Sequence, residues 1–167
     1  MTTAIIAVKE VQSGFTGKPV VFIRVETGGG IASMLDHATR AGDALEARHG
    51  CTQNECFTAG TYAAALVASL VGEGHEAEVV PHYMGQMAEA RYEITRAKHN
   101  ARLIIRAFAG CEGRTWKGVR EGWAEVFYGR VKDAALVVDL IEQSMGEVGF
   151  GRCPVKIEAP KPEKMAA

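Results

Sequence analysis

Residues 4–11 and 20–27 are two apolar runs rich in β-branched side chains, and in the second Val21, Ile23 and Val25 recur at every other position. The stretch SGFTGKP between them is turn-prone, so the pair predicts a β-hairpin with one face of its second strand turned inward. Gly28, Gly29 and Gly30 then break the strand, and the spacing changes from two to that of a helix. Ile31, Met34, Leu35, Ala38, Ala41, Gly42 and Leu45 form a narrow apolar stripe that ends before Gly50.

Thr52-Gln53-Asn54-Glu55 has the form of a capping box, which predicts the start of a second helix. That helix runs through Phe57, Gly60, Ala63, Ala64, Val67, Leu70 and Val71, and Gly72 and Gly74 end it. A short extended piece is expected around Pro81. From 84 to 108 a long helical pattern places Met87, Ala90, Ile94, Ala97, Ala101, Ile104, Ile105 and Phe108 on one face, with Arg91, Lys98, Arg102 and Arg106 as a basic stripe beside it. CEGRTWKGVREG reads as a loop, 123–128 as a strand, and the segment from Asp133, a candidate N-cap, as a last helix ending by Gly149. In that helix Leu136, Val137, Leu140, Ile141 and Met145 are expected to face the core.

These elements predict an α+β fold: an N-terminal β-hairpin and a small antiparallel sheet, with 123–128 as a further strand, covered by three or four helices. Residues 1–155 read as a single domain. Residues 156–167, rich in proline and charge, read as an irregular tail.

A chain of 167 residues can bury a core without cross-links. Its longest apolar stretches, such as 63–71 and 134–138, fall far short of a membrane span, and the amino terminus lacks the pattern of a signal peptide. A cytoplasmic location follows as the expectation, with no membrane partner, and the four cysteines, Cys51, Cys56, Cys111 and Cys153, are expected to be mostly buried thiols.

The net charge is −1, but it is unevenly spread. Residues 91–120 hold eight Lys/Arg and two acids; subtracting these from the totals of 19 and 20 leaves 11 basic and 18 acidic residues elsewhere. Arg91, Lys98, Arg102 and Arg106 could neutralise phosphates, and Arg114, Lys117, Arg120 and Trp116 extend the same surface with a ring able to stack on a base. Nucleic acid, or a complex that processes it, is therefore the expected partner. A basic surface beside an acidic remainder also suits docking to an acidic protein or two-fold self-association.

Other chemistry has thinner support. His49, Cys51, Cys56 and Cys111 could make a Cys3His zinc site, but no C-x2-C knuckle is present, and ordinary buried cysteines are expected. Gly28-Gly29-Gly30 lacks the spacing of a dinucleotide fingerprint, and Gly14-Phe15-Thr16-Gly17-Lys18 is too short for a P-loop. Lys98-His99-Asn100 has no second histidine or carboxylate in register, and there is no G-x-S-x-G or H-E-x-x-H. No catalytic residue, metal ligand or cofactor is therefore predicted.

Neither the capped helix nor the strand–glycine–helix element at Val126-Phe127-Tyr128-Gly129-Arg130 carries a family signature. The reading that results is a non-enzymatic accessory protein, of the kind encoded by phages and mobile elements, that contacts nucleic acid through a basic helix and loop. Its rivals are a protein-binding inhibitor, adaptor or homo-oligomer, and a small metal- or nucleotide-dependent enzyme.

Overall fold

In the computed structural model, which describes residues 3–10, 19–49, 58–81, 88–96, 102–111 and 122–161, strand β1 (Ala4–Lys9) is buried along its whole length. A strand buried on both faces must have its backbone groups paired on both edges. β2 (Pro19–Val25) pairs antiparallel on one edge, which is the expected hairpin, and β4 (Ala90–Arg96) pairs parallel on the other. β3 (Ala77–Val80), β5 (Leu103–Gly110) and β6 (Trp123–Arg130) complete a mixed six-stranded sheet in the order β3-β2-β1-β4-β5-β6. The sheet is thus larger than the sequence suggested, and it is not purely antiparallel. Its parallel central pair joins a segment near residue 5 to one near residue 91.

The long helix expected over 84–108 is not formed. Its described parts are β4 and β5, which pair antiparallel from Ala90↔Ala109 to Arg96↔Leu103. The pattern that decides is a period of two: Ala90, Tyr92 and Ile94, then Ile105, Ala107 and Ala109, all buried in the core. A helical template also collects Ala90, Ile94 and Ile105, but it omits Tyr92 and Ala107 and wrongly gathers in Ile104 and Phe108, which lie on the opposite face. β-Branched and aromatic residues that pack between neighbouring strands override the helical spacing.

Among the described residues, four helices cover one face. α1 (Ile31–His49) buries Ile31, Met34, Leu35, Ala38, Ala41 and Leu45, as its stripe predicts. α2 (Ala59–Gly72) begins later than expected: Thr58 caps it, bonding the Thr61 amide at 3.1 Å while the Thr61 hydroxyl accepts from the Thr58 amide. The Thr52–Glu55 motif lies outside the described residues. The last helical stretch is divided at Val137 into α3 (Val131–Leu136) and α4 (Val138–Gly146), with a 3-10 turn at Glu147–Phe150. Arg130, not Asp133, occupies the N-cap, and Asp133 in the first turn binds the Arg130 guanidinium at 2.7 and 3.1 Å. Val131, Ala134 and Ile141 face the core, whereas Leu136 and Leu140 point outward, 72% and 52% exposed. Val137 and Met145 are part-buried against the core with Ile141, so the expected stripe holds across the break at Val137 except at Leu136 and Leu140.

The core lies between the helices and the sheet face bearing Ala4, Ile6, Val8, Ile23, Val25, Tyr92 and Ile105. Residues 152–161 have no regular structure but run beside β6, where the Ile157 amide donates to the Val126 carbonyl at 2.7 Å. Among the described residues, no helix is long and apolar enough to cross a membrane.

Candidate functional site

The residues expected to form one basic stripe are divided between two surfaces. Arg91 and Arg106 stand on the sheet face turned away from the helices, because they alternate with the core residues Tyr92 and Ile105. Arg102, just before β5, is exposed at the mouth of a groove on the helical side. Lys98, Arg114, Trp116, Lys117 and Arg120 lie outside the described residues, as do His49's side chain, Cys51 and Cys56. Cys111 is a buried free thiol and Cys153 an exposed one.

On the sheet face turned away from the described helices Glu93 is the centre of a charge network. Its carboxylate lies 3.4 Å from Lys9 Nζ, 3.1 Å from Arg91 Nη2 and 4.0 Å from Arg106 Nη1, while Lys9 and Glu93 are only 5% and 6% exposed. A bulge between Ala107 and Phe108 shifts the β6 register so that Glu125 faces Phe108 and Tyr128 faces Arg106. Arg106 therefore reaches Glu125 through Nε at 3.1 Å and Nη2 at 2.6 Å, and Lys156 reaches the other carboxylate oxygen at 3.1 Å. Burial pushes the Glu125 carboxyl up, but the bonds from Arg106 and Lys156 more than offset this and hold it below the usual carboxylate range. Arg91 and Arg106 also lie over the Phe108 ring, at 5.7 and 5.0 Å from its centroid, and Arg106 lies 5.8 Å from that of Tyr128.

The helical side carries a groove of about 820 Å3 between α1 and the α3–α4 corner. Leu35, Leu103, Val131 and Leu136 give it an apolar floor and rim. Gly42 permits the close approach of α1 to β5 there, since a Cβ at that position would meet Leu103 Cδ1 at 3.0 Å. One wall is acidic, with Asp36, Asp43 and Glu46 spaced along α1. The opposite wall is basic, with Arg96, Arg102, Arg130 and Lys132. Arg96 is 5% exposed; burial lowers its pKa, and the Glu46 charge opposes that shift. The sequence carried a signal for this site, the polar side of α1 and the leucines of the last helix, but those leucines were assigned to the core.

A third constellation joins α1, α2 and the approach to β3. His37 Nε2 lies 3.1 Å from Glu73 Oε2, and His75 Nε2 lies 3.9 Å from the same oxygen. These ligand atoms are all within 4.8 Å of one another, a spacing from which two imidazoles and a carboxylate could hold a metal ion. The second carboxylate oxygen of Glu73 binds Arg40, whose hydrogen bond is the main reason that the Glu73 carboxyl sits below its ordinary range. Sequence reasoning missed this group because His37 is 32 residues from its hydrogen-bonding partner Ser69 and looks like part of the α1 stripe. The Glu-Gly-His run at 73–75 was the available clue. No family model, curated protein or solved structure matches this chain, so the functional reading rests on this geometry.

Proposed function

We propose that the protein is a binding protein that works as a two-fold homodimer, with the groove between α1 and the α3–α4 corner at the subunit interface. The observation that carries this reading is the bipolar lining: an acidic wall and a basic wall flank one apolar floor. A polyanion would be repelled by the Asp36–Asp43–Glu46 side. A second copy turned through 180° sets each acidic wall against its partner's basic wall, so that charges of opposite sign face each other across the contact.

Leu136, exposed at the surface, lines this groove and forms an apolar ridge on its rim. The apolar ridge and the apolar floor therefore belong to the same face, which favours an isologous contact over a head-to-tail chain. The α1 wall from Ala32 to Glu46 offers about 21 Å of helix to such a contact. Replacing Leu136 by Arg is expected to convert a particle of about twice the 17.9 kDa chain mass into one of that mass, with unchanged circular dichroism. A variant that keeps the mass of the unmodified protein counts against the groove as interface.

The sheet face turned away from the described helices supports a second reading, contact with single-stranded nucleic acid. Arg91 and Arg106 over Phe108, with Tyr128 alongside, pair cations with rings on which bases could stack. Against it, both arginines already face Glu93 or Glu125. Salt-sensitive retention of labelled oligonucleotides that weakens in Arg106→Ala and is kept in Arg102→Ala, on the other surface, supports this reading. Absence of retention at low salt ends it.

A further inference from the structure

We propose that His37, Glu73 and His75 form a binding site for a divalent transition metal, zinc by its ligand chemistry. This inference does not depend on the subunit interface. Two imidazole nitrogens and one carboxylate oxygen are the donor set of open zinc sites, in which a fourth position is left to water. With metal–ligand bonds of about 2.0–2.2 Å, tetrahedral ligand atoms stand about 3.3 Å apart. His37 Nε2 and Glu73 Oε2 are already close to this, at 3.1 Å. His75 Nε2, at 3.9 Å from Glu73 Oε2, belongs to a side chain 25% exposed and closes on that oxygen by about half an ångström to reach the same spacing, within a set whose ligand atoms all lie within 4.8 Å of one another.

The surroundings supply what metal-bound histidines require. The His37 ring is 1% exposed, and its Nδ1 lies 2.7 Å from Ser69 Oγ. With the Nδ1 proton donated to Ser69, the Nε2 lone pair is directed at the Glu73 side, which is how an outer-shell partner fixes tautomer and ring orientation. Arg40 plays the matching part for the carboxylate: it binds one oxygen of Glu73 and leaves the other turned to the two imidazoles.

The backbone is adapted to the same end. Gly74, at φ +87, makes the tight turn that brings Glu73 and His75 to one side. Gly28, at φ +80, leaves room for the imidazole, since a Cβ there would lie 2.6 Å from His75 Nδ1 and Cε1. The His37 and His75 rings meet edge to face, with centroids 5.5 Å apart, so both nitrogens approach the carboxylate oxygen. Glu73 is 42% exposed, which leaves the fourth position open to solvent. A bound ion would tie α1, α2 and the entry to β3 together.

The test is titration of the full, tag-free chain with zinc chloride by calorimetry, with cobalt(II) absorption as a second readout. One equivalent is expected, accompanied by a rise in thermal midpoint. The cobalt spectrum should show ligand-field bands without thiolate charge transfer. His75→Ala and Glu73→Ala alter side chains that are part exposed, and each is expected to weaken affinity at least tenfold while remaining folded. Absence of zinc binding overturns the proposal. So does binding that both variants retain, or a thiolate band, which would place the ion on cysteines.

Discussion

Glu93 on β4 and Arg106 on β5 are directly opposed across the sheet, and the single carboxylate of Glu93 faces Arg106, Arg91 and Lys9 at once. With Lys9 and Glu93 both nearly sealed from solvent, this carboxylate is what makes burial of the lysine tolerable. Glu93→Ala leaves that cation without its counter-charge and is expected to destabilise the protein by about 3 kcal/mol in urea titration. Glu93→Ala/Lys9→Met, which removes both members of the buried pair, should recover a large part of that loss.

The other carboxylate of the network controls part of the acid sensitivity. Glu125 has its folded pKa lowered, so its stabilising contribution is present above the unfolded carboxylate pKa and is lost as pH falls through the folded one. Glu125→Gln is expected to cost about 1 kcal/mol at neutral pH, in keeping with a part-exposed charge-assisted pair. Its thermal midpoint should decline less steeply with acid than that of the unmodified chain, the two curves converging at low pH. Parallel curves would show that the Arg106–Glu125 bond does not carry this linkage.

Neighbouring isoleucines on β5 distinguish the sheet from the helix that spacing suggests. Ile105 is fully buried, while Ile104 is part exposed on the opposite face. Ile105→Ala is expected to cost about 3 kcal/mol and Ile104→Ala about 1 kcal/mol, measured by chemical denaturation. Equal costs would contradict the alternation.

That contrast also marks what the chain discloses before folding. The β1–β2 hairpin, α1 and β6 were legible because each is decided locally, by β-branched alternation with a turn, by a stripe from Ile31 to Leu45, and by a short aromatic run. β4 and β5 were not, since Ala90, Ile94 and Ile105 fit a helical wheel as well as a strand pair, and the parallel contact with β1 that settles the matter joins distant segments. Arg91 and Arg106 were expected in one stripe with Arg102, but strand geometry puts them on a different surface from it. The His37–Glu73–His75 group escaped for the same reason, because it exists only once α1 packs on α2.

Gly28 provides a local check on the turn that shapes that group. A side chain at φ +80 is strained, and its Cβ would collide with the His75 ring. Gly28→Ala is expected to destabilise the fold by about 2 kcal/mol, read as a lowered thermal midpoint, and to displace the imidazole, read as a changed His75 proton resonance. An unshifted resonance with unchanged stability would show that the contact yields without strain.

Sedimentation equilibrium of the unmodified protein decides whether the bipolar groove is closed by a second copy of the chain, as proposed. The expected result is a mass of about twice 17.9 kDa that falls towards the monomer value with dilution and with added salt, as charge-complementary walls require. A monomer at every concentration and ionic strength would contradict it.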